Sequence, residues 1–157
     1  MKKFIALTLA ALPVFAFAGI TLNTDVRQDS IQQTVCVSGY TATVRPAVSY
    51  TEGVKKKLLK QRNLDWSHAK EFELDHIVPL ELGGHPRDLN NLQLQAWDGP
   101  EGAHVKDHLE NKLHCMVCSG QIPLRQAQSE IYKNWEATAA KYESQSCSAH
   151  THEHSKH

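Results

Sequence analysis

Hydrophobic and polar residues alternate in two short stretches near the middle of the chain. The alternation over residues 72–77 predicts a first β-strand, and that of Leu92, Leu94 and Ala96 with two glutamines predicts a second. Residues 79–90 lie between them and hold two prolines and a Gly-Gly pair, which is typical of a loop. The pattern therefore predicts a β-hairpin with a long connection.

Upstream of the hairpin two further patterns occur. Apolar and polar residues alternate over residues 34–44, which predicts extended structure, and we expect residues 19–47 to form an extended N-terminal segment. Ser49 and Glu52 then form a capping-box pattern for a helix that ends near Arg62.

Downstream of the hairpin the apolar residues recur at helical spacing. Residues 98–101 combine acids with a proline, which predicts the start of a helix that ends near Val117, and another helix follows Pro123. The order strand, loop, strand, helix predicts an α+β protein with one ββα unit surrounded by additional helices, in a domain of residues 48–146. The expected apolar faces of the two helices are Leu109, Leu113, Met116 and Val117, and Leu124, Ala127, Ile131 and Trp135.

Both ends of the chain differ from this domain. Lys2 and Lys3 precede an apolar run over residues 4–17, and Ala16-Phe17-Ala18 is a small-x-small cleavage pattern, so residues 1–18 are interpreted as a signal peptide. The apolar run is short for a bilayer-spanning helix. We therefore expect a periplasmic or secreted protein. Residues 147–157 are polar and rich in histidine, and we expect a disordered tail.

The charge balance excludes a protein that coats DNA through a strongly basic surface. The whole chain has 17 Lys and Arg against 17 Asp and Glu, and signal cleavage would remove two lysines and leave a formal charge of about −2. A local basic group can still steer phosphate, although it is equally well explained as a solvated helix face. Its members are Lys55, Lys56, Lys57, Lys60 and Arg62.

Export changes the interpretation of the four cysteines. An even number in an oxidising compartment predicts two structural disulfides, and our preferred pairing is Cys36 with Cys118 and Cys115 with Cys147. The sequence alone leaves three connectivities open. Cys115 and Cys118 also form a Cys-x-x-Cys pair, but no second such pair occurs, which weakens a zinc or thioredoxin-like interpretation.

One stretch of the chain has a motif that carries chemistry. Asp75-His76 begins the sequence Asp-His-x-x-Pro-Leu, then Gly83-Gly84 follows, then Asn91-Leu92, and then a pair of histidines four residues apart. Residues 71–110 resemble the HNH, or ββα-metal, endonucleases in these features. The resemblance implies a ββα-metal core that hydrolyses phosphodiester bonds, and the two disulfides expected from the cysteine count would staple it.

The resemblance also implies the roles of individual residues. His76 would be the general base, Asp75 a metal ligand, and Asn91 the residue that holds the loop, with Asn90 as its competitor. His104 and His108 share a helix face and would complete the coordination of one divalent metal ion, either Mg²⁺, Mn²⁺, Ni²⁺ or Zn²⁺. Their distance along the chain from Asn91 is longer than in the colicin-type nucleases that they resemble. Two further residues, Lys106 and Arg87, are expected to contact the substrate.

These features are compatible with three hypotheses of function. The first is an exported metal-dependent endonuclease whose partner is nucleic acid, with DNA as the expected form. The second is a non-catalytic metal-binding protein of the envelope, in which histidines of the helix and of the tail bind the metal. The third is a degenerate HNH fold that binds nucleic acid without cleaving it.

Overall fold

The two alternating stretches pair as an antiparallel β-hairpin, as predicted. β1 (Phe72–His76) and β2 (Leu92–Ala96) are joined in a register that pairs Phe72 with Ala96 and His76 with Leu92. The computed structural model describes residues 19–147. The predicted signal peptide and all but the first residue of the predicted tail lie outside the described residues.

Helices in the described part of the chain surround this hairpin, which confirms the α+β class. Short 3-10 helices occur in the N-terminal segment, before β1 and within the hairpin connection. The α-helices are α1 (Tyr40–Val44), α2 (Val48–Gln61), α3 (Ala103–Cys118), α4 (Leu124–Lys133) and α5 (Trp135–Tyr142).

The predicted extended structure over residues 34–44 is wrong. Gly39 takes a left-handed conformation with φ of 82°, and the chain then turns into α1. An alternation of only a few residues does not by itself distinguish a strand from one helical turn, and no neighbouring strand is available here to pair with it in residues 19–147. Residues 19–47 are mostly turns and short helices, with one isolated bridge between Leu22 and Gly84.

Helix boundaries also differ from the predictions. α2 begins after Ala47, so Ser49 lies inside the helix and the predicted capping box does not form. α3 begins at Ala103 rather than near Pro100, because residues 98–101 form a turn in which the Gly102 N–H donates to the Gly99 carbonyl at 3.0 Å. The helix predicted after Pro123 is two helices, since Asn134 interrupts it and caps α5 through its side chain.

The core lies between the N-terminal segment, the hairpin connection and the last three helices. The predicted apolar faces of α3 and α4 are buried in it, and Trp135 packs partly buried at its edge. A second buried group joins α2 to β2 through Val54, Leu59, Leu92 and Leu94. The main core consists of Val26, Ile31, Val35, Val78, Leu82, Leu109, Leu113, Met116, Val117, Ile122, Leu124, Ala127, Ile131 and Tyr142.

Two disulfides fasten the N-terminal segment and the C-terminal end to α3. Cys36 bonds to Cys118 and Cys115 bonds to Cys147, which confirms the preferred pairing. Paired cysteines are typical of proteins that mature outside the reducing cytoplasm. Within residues 19–147, none of the helices has the length and apolar content needed to cross a bilayer.

The two disulfides should contribute unequally to stability. They close segments with sequence separations of 82 and 32, for which the chain-entropy relation gives about 4.5 and about 3.7 kcal/mol. We expect the double variant Cys36→Ala/Cys118→Ala to lose more free energy of unfolding in urea than Cys115→Ala/Cys147→Ala. Equal losses, or a larger loss for the second pair, would contradict this ranking.

Candidate active site

The hairpin connection is shaped by two glycines that allow close backbone approaches. Gly83 has φ of 77°, a left-handed conformation that favours glycine. A Cβ on Gly84 would lie 1.7 Å from the Val78 carbonyl oxygen. The Gly-Gly pair therefore lets the loop fold back on the segment that leaves β1.

Asn91 holds this loop closed with both ends of its amide. Its Oδ1 accepts from the Val78 N–H at 2.9 Å, and its Nδ2 donates to the carbonyls of Val78 and His85, both at 3.0 Å. The side chain is almost fully buried. Asn90, by contrast, is exposed. A carboxylate lacks the donor for two of these bonds, so the position requires an amide.

His76 ends β1 and is held against the loop by one ring nitrogen. Its Nε2 lies 3.2 Å from the Pro86 carbonyl oxygen. A carbonyl only accepts, so Nε2 carries the proton and Nδ1 keeps its lone pair. Burial lowers the pKa of His76 below its usual 6.5, because the charged imidazolium is poorly solvated there. The side chain is therefore a neutral base at physiological pH.

Asp75 and Lys106 form an ion pair in the interior. Lys106 Nζ lies 2.9 Å from Asp75 Oδ2, and the Gln93 amide donates to the same oxygen at 3.0 Å. The ammonium also donates to the His76 carbonyl at 2.8 Å and to Glu110. Only 1% of the Lys106 side chain is exposed. Lys106 therefore connects α3 to the end of β1. A contact with substrate would require an exposed side chain, and that of Lys106 is buried.

An acidic cleft of about 110 Å³ lies beside Asp75 and His76. The cations beside its carboxyl groups are Arg45, which lines the cleft, and Lys106, which pairs with Asp75. Glu73 Oε2 is buried without a hydrogen-bond partner, and burial together with Asp75 and Asp107 raises the pKa of Glu73 to about 7. Burial likewise raises the pKa values of Glu81 and Glu110. The acidic residues that line this cleft are Glu73, Asp75, Glu81, Asp107 and Glu110.

The two predicted histidine ligands do not join this cleft. The His104 side chain is 63% exposed, its ring packs against Trp97 at 5.3 Å between centroids, and its Nε2 lies 4.0 Å from Asp98. His108 is exposed and lines a separate groove between α3 and α5. Both face away because they lie two residues from Lys106, and residues two apart on a helix do not share a face. The structure therefore does not bring His104 and His108 together with Asp75, and the ligand set expected from the sequence stays a prediction.

Arg87 lies close to the site but is not part of the cleft. It follows Pro86, whose carbonyl holds His76, and its guanidinium lies over the Tyr50 ring at 5.2 Å from the centroid. The side chain is exposed. Its expected contact with substrate stays a prediction.

His114 and the two cysteines of the Cys36–Cys118 disulfide form a group of three potential metal ligands. His114 offers a ring nitrogen within 4.8 Å of both sulfurs, and it is the only such three-residue group among residues 19–147. The sulfurs are bonded to each other, so neither is a thiolate ligand in this oxidised state. The His114 Nε2 also contacts the Val35 carbonyl oxygen at 2.7 Å.

Sequence reasoning missed several cleft residues, although the chain carries signals for some of them. Glu73 lies two residues before Asp75 and therefore on the same face of β1. Asp107 and Glu110 lie beside the buried face of α3 that the apolar residues define. Arg45 and Glu81 lie in the flanking segments, and no periodicity in the sequence brings them to this point.

Comparisons of the chain with protein-family models, curated proteins and solved structures find no match. A function for this protein must accordingly be inferred from the chemistry of the cleft and from the sequence motif that lines it.

Loss of the Lys106 ammonium should destabilise the fold strongly. Lys106→Met leaves two interior carboxylates without their shared cation, and we expect a loss of about 3–5 kcal/mol in the free energy of unfolding. Chemical denaturation monitored by circular dichroism measures it. The matched control is Lys141→Met, which removes a Lys–Glu pair with a half-exposed lysine and should cost far less. Equal losses would show that the buried ion pairs of Lys106 stabilise the fold no more than the more exposed pair of Lys141 does.

Proposed function

We propose that the protein is an exported, metal-dependent endonuclease of the HNH type that hydrolyses phosphodiester bonds of nucleic acid. The observation that carries the proposal is the neutral His76 imidazole at the edge of an acidic cleft, with Nε2 engaged by the Pro86 carbonyl and a lone pair left at Nδ1. The order of Asp75-His76, the loop held by Asn91 and the following helix supports the family assignment. The periplasm or the extracellular medium is the proposed location.

In this proposal His76 activates the attacking water. Nδ1 accepts the proton from water while the Pro86 carbonyl keeps the ring in one orientation. Asn91 sets the position of Pro86 indirectly, because it bonds to the preceding residue, His85. Arg45, an exposed cation that lines the cleft, is the candidate to contact the substrate phosphate.

The cleft is a better candidate for a divalent metal ion than the exposed helix histidines, because Glu73 has a buried oxygen without a hydrogen-bond partner. Asp75 and Asp107 line the same cleft and offer further hard oxygen donors. Glu73, Asp75 and Asp107 would hold the ion after their side chains move together, since their oxygens do not lie within 4.8 Å of one another. When bound, such an ion neutralises charge on the phosphate and on the leaving oxygen. Oxygen ligands favour Mg²⁺ or Mn²⁺ over Ni²⁺ or Zn²⁺.

A second candidate is a degenerate HNH fold that binds nucleic acid without cleaving it. Lys106 favours this candidate, since its ammonium already neutralises Asp75, the residue expected to bind metal. A metal ion would have to compete with that ion pair or bind Asp75 beside it. Cleavage assays separate the two candidates directly.

Variants of the cleft should show whether the metal binds there or at the histidines on the outer face of α3. Purified protein incubated with supercoiled plasmid or circular single-stranded DNA and Mg²⁺ or Mn²⁺ should cleave the DNA. We expect His76→Ala to lower the rate by about 10²–10⁴-fold, since a general base contributes that much. Glu73→Gln should raise the metal concentration that half-maximal cleavage requires.

The matched control is the double variant His104→Ala/His108→Ala, which should cleave like the wild type. A loss of cleavage in that variant would support the ligand set predicted from sequence and overturn the acidic cleft as the metal site. Binding of DNA without any product, with every metal ion, would support the non-cleaving candidate. Metal uptake that disappears when residues 148–157 are removed would support an envelope metal-binding protein.

The pH dependence of cleavage should report the titration of His76. The base form is present above its folded pKa, and that pKa is lowered from 6.5 by burial, so cleavage should be constant near neutrality and fall only below pH 6.5. Measured values of kcat/KM between pH 4.5 and 8.5, with DNA cleavage as the readout, test this at a metal concentration that saturates the protein at every pH, so that protonation of Glu73 does not contribute to the profile. An acid limb centred above pH 6.5 would contradict the assignment of His76 as the buried base.

A further inference from the structure

Positive charge is concentrated on one part of a chain whose formal net charge is zero. Residues 55–70 contain six Lys or Arg and one acid, Asp65, whereas the chain as a whole has equal numbers of both signs. The Asp65 carboxylate accepts from the Ser67 N–H at 2.8 Å and caps the 3-10 helix Trp66–Glu71. Glu52 and Glu71 flank the segment. The exposed cations are Lys56, Lys57, Lys60, Arg62 and Lys70.

Three cations in or beside this segment lie over aromatic rings, and one of them is Arg62, whose guanidinium lies 5.4 Å from the centroid of Phe72. Lys56 Nζ lies 4.8 Å from the centroid of Trp66, whose side chain is 43% exposed. Arg87 lies over the half-buried Tyr50 ring at 5.2 Å. An exposed indole beside lysines offers a surface on which a base stacks while the ammonium groups contact phosphates.

The basic helix is connected to the candidate active site by direct contacts. Tyr50, in the first turn of α2, donates from its hydroxyl to the Arg87 carbonyl. Arg87 follows Pro86, which holds the His76 ring. Arg87 therefore links the first turn of α2 to the residue that holds His76. Lys56 lies about 9 Å further along α2, where it contacts Trp66. We call this set of residues the α2 track, consisting of Trp66, Lys56, Lys57, Tyr50 and Arg87.

We propose that the α2 track binds single-stranded nucleic acid and leads the strand to the cleft at His76. The inference rests on the proposed function, because it names the substrate class of the same site. A single strand presents unpaired bases to Trp66, which a duplex does not. An anionic membrane fits the surface less well, because the apolar residues Val54 and Leu59 of α2 are buried against the hairpin. Val48 is the one large apolar residue of α2 that is exposed, and a single valine does not make an apolar face that enters lipid.

Binding can be measured without any cleavage. The His76→Ala protein, in EDTA, is titrated against a fluorescein-labelled single-stranded oligothymidine, and anisotropy gives Kd at several salt concentrations. We expect Trp66→Ala to weaken binding by about 5- to 150-fold, the range for one lost base stack, and Trp66→Phe to recover part of it. Lys56→Gln/Lys57→Gln should reduce the slope of log K against log salt by about 1.4, or 0.7 for each lost phosphate contact.

The matched control is Lys133→Gln/Lys141→Gln, which removes two lysines from α4 and α5, the helices that pack against α3. It should leave Kd and the salt slope nearly unchanged. An equal loss of affinity in the control would show that the net charge of the protein explains the effect, and it would contradict binding by the α2 track. Unchanged affinity in Trp66→Ala with an intact fold, judged by circular dichroism, would overturn it as well.

Competitors identify the partner. Unlabelled single-stranded DNA should displace the probe at lower concentration than the same sequence as duplex. Equal displacement by duplex would overturn the single-strand preference. Sedimentation with phosphatidylserine vesicles, without oligonucleotide binding, would favour a membrane and overturn the proposal. Because the binding assay uses an inactive variant, absence of nuclease activity would count against the proposed function and leave the binding result to decide the track.

Discussion

The structure depends on one interior ammonium group. Lys106 donates to Asp75, to Glu110 and to the His76 carbonyl, so a single residue of α3 fixes the end of β1 from the inside. A buried cation is tolerated only when its partners restore what it loses in hydration, and here carboxylates and a carbonyl do so. The proximity of Glu110 and Asp75 raises the pKa of Lys106 despite its burial, so it stays charged. The geometry of the cleft follows from this arrangement.

The five carboxyl groups of the cleft outnumber the two cations beside them, Lys106 and Arg45. Glu73 shows this most directly, since one of its oxygens is buried without a partner and its pKa is raised to about 7. Without another cation the cleft takes up protons near neutral pH, whereas a bound cation would displace them. Burial keeps the adjacent His76 neutral despite Asp75 beside it. Burial therefore acts on both groups. It raises the pKa of Glu73, and it keeps the imidazole of His76 a neutral base at the edge of the cleft.

The hairpin, its loop and the disulfides could be predicted from sequence because each depends on local pattern or on residue type. Asn91 was identified through the resemblance to the HNH endonucleases, and its buried amide does bond to the loop on both sides. The orientation of the histidines was not predicted, although the apolar face of α3 indicates it. Lys106 lies three residues before Leu109 and seven before Leu113, and therefore on the buried face, while His104 does not. A lysine on the apolar face of a helix indicates that the lysine pairs with a carboxylate in the interior. The two histidines, which are two residues from this lysine, lie on the opposite face of α3.

The proposed function requires an acidic cleft to admit a phosphate chain, although the two carry charge of the same sign. Carboxylates repel the substrate at the point where the reaction is proposed, and within about 8–10 Å at ordinary salt this repulsion is not screened away. Separating the charges resolves the conflict. In the proposed function, the cations of α2 would attract the polyanion some distance from the cleft, Arg45 would contact it at the rim, and a metal ion would compensate the carboxylates within. A chain of zero formal charge can then act on nucleic acid, because the distribution of charge decides where the strand lies and its sum does not.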